Sequence, residues 1–196
     1  LGIEPVSAML AHAKHKALAL PRAAQARLTL RRGDARRLRL NRKFGLVIAP
    51  FNVFMHLYTR RDLEQALASV RAHLAPRGRF VFDVTMPDLR LMTRTPGRLY
   101  RAPDVVHPRT GARYQYFEAF EYDAARQVQL VSMVFQNLDD LSDVKSLPLS
   151  QRQFFPEELK ALLHYNGLQV EHMWGDFERG VLNQDSETQV IVARAG

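Results

Sequence analysis

Cysteine is absent from the 196 residues. That excludes disulfides, a thiolate zinc site, an iron–sulfur cluster and a cysteine nucleophile, and otherwise fits a cytoplasmic protein. No apolar run approaches the ~18–20 residues of a membrane span, and no secretory signal heads the chain. Metal-ligand spacing is lacking too. His12 and His15 stand three apart rather than four, and His107, His164 and His172 have no partner spacing, so no metal is expected. There is no internal repeat and no low-complexity tract. Acidic residues are scarce in one half only: residues 1–98 carry a net charge of +13 and residues 99–196 a net charge of −5. A basic half can mark a nucleic-acid partner. Here Arg31, Arg32, Arg36, Arg37, Arg39, Arg42 and Lys43 crowd one loop region without the interleaved aromatics of a single-strand binder. They read as a solvated surface, and no nucleic-acid or membrane partner is expected. The composition, 46% hydrophobic and 24% charged, is that of one globular domain over residues 1–196.

What is present begins at once. Leu1-Gly2-Ile3-Glu4-Pro5 reads as the end of a buried strand, closed by a carboxylate and followed by a helix. In dinucleotide-type α/β folds, an acid at the tip of the second strand accepts both ribose hydroxyls of a cofactor. The first strand and its glycine-rich turn belong ahead of such an acid. The chain starts with Leu1, too late to hold them, so the first β-α unit is expected to be missing.

Periodicity orders the rest. Val6–Leu20 reads as a helix stopped by Pro21, Arg27–Arg32 as a strand ending in the Gly33-Asp34 turn, and Phe44–Ala49 as a strand buried on both faces. Arg60–Ala75 reads as a second helix and Arg79–Val84 as the next buried strand. Residues 86–112 read as a long crossing segment. Arg113–Tyr122 and Gln127–Asn137 alternate as an antiparallel hairpin, with Ser146–Phe154 as a possible third strand. Pro156–Asn166 is a helix, and Leu168–Trp174 and Thr188–Ala193 are closing strands. The expected fold is α/β: a doubly wound, Rossmann-like, mostly parallel sheet with a hairpin insert. Residues 1–85 would be the cofactor half, 86–155 a lid and substrate insert, and 156–196 the closing helix and strands.

Three segments carry chemistry. Glu4 alone reads as a surface residue at a strand end. Asp34 alone reads as a turn residue, although a carboxylate there can accept an adenine amine while the adjacent Gly33-Asp34-Ala35 backbone serves a ring nitrogen. The third segment, Phe44–Leu57, runs a strand into an aromatic, amide-bearing loop, which at the carboxyl end of a parallel sheet lies over the ligand crevice. Phe54 and Leu57 in it read as core packing.

The order GIEP, RRGDA, FGLVIAPFNVFMHL and DLEQALASVRAHLAPRGRFVFDV, with the tail FFPEELKALLHYNGLQVEHMWGDF, resembles the class I S-adenosylmethionine-dependent methyltransferases of small-molecule type. The family's glycine-rich loop is absent, and with it the strand between those ending at Glu4 and Ala49, so these neighbours would lack a hydrogen-bonding partner. The resemblance implies S-adenosylmethionine as cofactor. Glu4, with Pro5 beside it, would hold the ribose, Val6 or Met9 would pack on the adenine, and Gly33, Asp34 and Ala35 would read it. Ala49 and Pro50 would face the methionine part, with Phe51 and Asn52 alongside. The hairpin would shape the pocket for a small-molecule acceptor, making Tyr114 and Tyr116 candidate catalytic residues, along with Phe117, Glu118 and Phe120 as lining. His56 is a candidate general base, with an unperturbed pKa near 6.5, and equally a positioning or core histidine. The reading is methyl transfer to a nitrogen or oxygen. The alternatives are a nicotinamide-dependent oxidoreductase and a non-catalytic nucleic-acid or partner-binding module on the same fold.

Overall fold

In the computed structural model, which describes residues 1–196, the first unit is β1 (Gly2–Glu4), α1 (Ser7–Ala17), the single turn α2 (Arg22–Gln25) and β2 (Leu30–Arg32). β1 and β2 pair in parallel, with Glu4 opposite Arg32. The strand expected from Arg27 is confined to Leu30–Arg32 because the turn leaving α2 runs on through Arg27 and Leu28, whose N–H groups donate to the Ala24 and Gln25 carbonyls. The Gln25 side chain fixes that connection by donating to the Leu18 and Leu20 carbonyls at 3.1 and 2.7 Å.

The second unit is β3 (Phe44–Ala49), α3 (Arg60–His73) and β4 (Leu74–Thr85), with β3 and β4 parallel. Thr59 caps α3, its hydroxyl accepting the Asp62 N–H at 3.1 Å. The stripe Leu63, Ala66, Leu67 and Val70 is buried at helical spacing. β4 begins earlier than the apolar run suggests. At its start Gly78 lies so close to β3 that an added Cβ would meet the Phe44 carbonyl at 2.7 Å.

The insert is larger than a hairpin. After the turn α4 (Leu89–Met92), four strands follow: β5 (Tyr100–Val106), β6 (Arg113–Asp123), β7 (Val128–Asn137) and β8 (Val144–Arg152). They form an antiparallel sheet in chain order. α5 (Pro156–Tyr165), β9 (Leu168–Trp174) and β10 (Thr188–Ala195) close the chain. Pro156 opens α5, where its missing N–H costs nothing, and Glu157 and Glu158 complement the dipole of the first turn. β10 inserts antiparallel between β4 and β9, giving the order β3-β4-β10-β9.

The core lies on one face of this sheet. Phe80 and Phe82 stack at 4.9 Å, and Phe54 packs on them at 5.5 and 5.0 Å. α3, α5, Ile191 and Ala193 cover the same cluster. The expectation that β3 is buried on both faces does not hold. Val47 and Ala49 pack on the core, but Leu46 and Ile48 are 58% and 61% exposed. The helices of the core cover only the first face, and β3 ends its sheet, so its second edge has no strand. One edge of β1 is likewise unpaired.

Candidate functional site

Parallel pairing brings the carboxyl ends of β1 and β2 side by side, and with them Glu4 and Asp34. One Glu4 oxygen accepts the N–H of Val6 at 2.8 Å, which turns the chain into α1. The Gly33 N–H donates to the Glu4 carbonyl at 3.3 Å. An added Cβ at Gly33 would meet the Ile3 side chain at 2.9 Å, so the turn needs glycine for this close approach. Pro5, Val6 and Met9 are exposed beside Glu4.

Asp34 is engaged more fully. It caps the short turn Ala35–Arg37 by accepting the Arg36 N–H at 2.9 Å. It also takes a forked ion pair from the Arg36 guanidinium, 3.0 Å from Nε and 2.6 Å from Nη2. The third guanidinium nitrogen reaches Asp62 at 2.6 Å. Arg36 holds the Asp34 carboxyl below the usual carboxylate range, chiefly through the side-chain hydrogen bonds. Asp62 is lowered by the Thr59 hydroxyl first and by Arg36 second.

The tip of β3 is the second element. Phe51 and Asn52 both take left-handed backbone, with φ of 68° and 61°. Asp83 of β4 accepts the Phe51 N–H at 2.8 Å and the Asn52 N–H at 3.3 Å. The Asn52 side-chain oxygen accepts the Thr85 N–H at 2.7 Å. Asp83 and Thr85 are absent from the residues singled out in the sequence. Their signal there is a carboxylate interrupting the apolar strand FVFDV. After the turn, Phe54 and Met55 are buried and Leu57 packs on the core, while His56 is exposed.

Tyr114 and Tyr116 stand further out. The insert meets the central unit where the Tyr58 hydroxyl bonds Ser150, 3.0 Å to the carbonyl and 2.7 Å to the side chain. Ser150 pairs with Leu130, which pairs with Glu121. At about 3.3 Å per residue, Tyr116 lies roughly 16 Å along β6 from that point. Its hydroxyl donates to Glu118 at 2.6 Å, and its ring stacks on Phe135 at 4.8 Å. Burial first, and the Glu118 carboxylate second, push the Tyr116 phenol up to about 12, so it is a donor at neutral pH and not a base. Tyr114 donates to Asp143 at 3.2 Å and accepts from Lys145 at 2.8 Å. A cleft of about 340 Å³ beside the junction is lined by Phe120, Glu121, Leu130, Pro148 and Ser150 among others. No group of three His, Asp or Glu is placed to hold a metal ion, and no helix is long and apolar enough to cross a membrane.

The arrangement thus offers two neighbouring carboxylates, exposed apolar residues beside them and a fixed, aromatic-bearing turn. Residues 1–80 match the family model of the methyltransferase domain. An N,N-dimethyltransferase for dTDP-3-amino-3,4,6-trideoxy-alpha-D-glucopyranose from Streptomyces venezuelae is 39% identical over 82 residues. That stretch is 42% of this chain and 31% of the relative, less than two thirds of its length. Among solved structures, the CcbJ methyltransferase from Streptomyces caelestis superposes with a TM-score of 0.83 at 23% identity, over 100% of this chain and 74% of that one. An amino pentose methyltransferase from Micromonospora echinaspora gives 0.70 at 22% identity, over 100% and 73%.

Proposed function

We propose, for a chain with the fold of the class I S-adenosylmethionine-dependent methyltransferases and a methyltransferase-domain match over its first 80 residues, that it moves a methyl group from S-adenosylmethionine to an amine nitrogen of a small molecule. The observation that carries this reading is the placement of Glu4 and Asp34 at adjacent tips of two parallel strands. Amine is preferred over oxygen because the curated relative similar to the first part of the chain is an N,N-dimethyltransferase.

The residues present fit the adenosine end of that cofactor. Glu4 spends one oxygen on Val6, which leaves the other to accept ribose hydroxyl protons. Val6 and Met9 offer apolar surface for a purine face. Asp34 is kept anionic and oriented by Arg36, and an adenine amine would share it with that guanidinium. Bound S-adenosylmethionine supplies an electrophilic methyl on its sulfonium. The protein's part is alignment of the attacking lone pair, the main requirement of such a displacement. We take His56, exposed at the end of the turn after β3, as the candidate to receive the amine proton. Tyr116, which donates to Glu118, and Tyr114, bonded to Asp143 and Lys145, belong to the outer sheet in this reading.

Calorimetric titration with S-adenosylhomocysteine, with NAD run beside it, tests the reading. The expected result is binding of the homocysteine compound alone, weakened about tenfold to a hundredfold in Glu4→Ala, the range for a lost hydrogen bond to a charged group. Preference for NAD, or indifference to Glu4→Ala, overturns it.

A further inference from the structure

Asp83 sits in β4 between Phe82 and Val84 and is 7% exposed. Its register neighbour on β10 is Val190, also buried. A carboxylate in such surroundings needs compensation, and no Lys, Arg or His lies within ion-pair distance of it. Its hydrogen-bond partners are two successive backbone N–H groups, those of Phe51 and Asn52. Paired amides of this kind form a concave anion cradle, filled here by the protein's own side chain.

The backbone that makes the cradle is strained. Two consecutive residues other than glycine, at φ of 68° and 61°, persist only where their surroundings over-determine them. The surroundings do so from both directions. Asp83 holds the turn's amides, and the turn's Asn52 holds the Thr85 N–H at 2.7 Å and its hydroxyl at 3.2 Å. Strand alternation puts Asp83 and Thr85 on the same face of β4, so one strand end clasps one turn. Packing gives no reason for this clasp to present a large aromatic to water, yet Phe51 is 90% exposed. The turn also stands at the carboxyl ends of parallel β3 and β4, where ligands bind in open α/β sheets.

We propose that Asp83 is a positioning residue for the cofactor site: its buried carboxylate holds Phe51 and Asn52 in left-handed backbone, and so presents Phe51 to the bound cofactor. The proposal rests on the methyltransferase reading above. Asp83 acts through the turn and touches no reacting atom. In Asp83→Asn the side chain keeps its size, but one acceptor becomes a donor facing an N–H. The turn then relaxes towards ordinary backbone and Phe51 leaves its position.

The test combines backbone hydrogen exchange at Phe51 and Asn52 with titration of S-adenosylhomocysteine into wild type, Asp83→Asn and Phe51→Ala. The expected result is faster exchange at the two amides in Asp83→Asn and binding weakened about tenfold or more in both variants, with the unfolding midpoint of Phe51→Ala unchanged. Should Asp83→Asn fail to fold, Asn52→Ala opens the clasp from its exposed side and is expected to weaken binding equally. Wild-type affinity in a folded Asp83→Asn, or amides that stay protected in it, overturns the proposal while leaving the methyltransferase reading intact. A wild-type chain that prefers NAD overturns that reading and the proposal with it.

Discussion

Arg36 joins two carboxylates that the sequence places 28 residues apart, Asp34 after β2 and Asp62 in the first turn of α3. Both pairs are partly exposed, so their worth is that of a surface network, about 0.2–1 kcal/mol. The sign of the pH dependence follows from the direction of the shift. Asp34 is depressed in the folded chain, so its contribution is present above the unfolded carboxyl pKa. It disappears as pH falls through the lower folded value. Arg36→Ala is therefore expected to be slightly less stable than wild type at neutral pH and equal to it in strong acid. The Asp34 and Asp62 carboxyls should titrate at higher pH in the variant, which carbon chemical shifts of the two groups check directly. Glu4 and Asp34 were legible as candidates because strand-tip and turn chemistry is local. The role of Arg36 was not, because a run of seven basic residues gives no sign of which one meets a carboxylate.

At the scale of the element, Phe54 of the turn after β3 packs on the stacked Phe80 and Phe82 of β4. Phe82→Ala is expected to cost about 3–5 kcal/mol, read as a lowered urea midpoint, since the surrounding stack cannot close over the cavity. β3 supplies the opposite case. Its Leu46 and Ile48 are exposed although they sit in a continuous apolar run. The elements differ in how far the sequence could tell them. α3 was legible from its apolar stripe, and α5 from a first-turn proline with two acids behind it. The exposure of Leu46 and Ile48 was not, because a continuous apolar run reports affinity for a covering layer and does not identify that layer. β5 was missed because Pro103 and its charged neighbours break the alternation that marked β6 and β7. Asp83 was passed over for a related reason: inside FVFDV the strand pattern hides a side chain whose partners are set 31 and 32 residues earlier.

For the molecule as a whole, the question is how the outer four-stranded sheet is held to the central one. The contacts converge at the end of β8. Arg152 bonds Glu158 of α5 at 2.9 Å, reaches the Tyr58 carbonyl at 3.4 Å and lies 4.9 Å over the Phe154 ring. Gln127 donates to the same Glu158 at 3.3 Å, and Gln189 of β10 donates to the Phe154 carbonyl at 2.7 Å. The Arg152 and Glu158 side chains are 13% and 24% exposed, so removing one leaves the other largely without water to replace it. Arg152→Ala is expected to cost about 2–3 kcal/mol, somewhat below the range for breaking a fully buried pair. The loss should be regional, because the central sheet keeps its aromatic core and its β4–β10 ladder. Hydrogen exchange resolves this: amides of β7 and β8 should exchange faster in the variant while those of β4 and β10 keep their protection. A uniform rise across both sheets would mean that the two unfold as one cooperative unit and that the junction is part of the core. Protection unchanged everywhere would mean that the Tyr58–Ser150 bonds hold the outer sheet without Arg152.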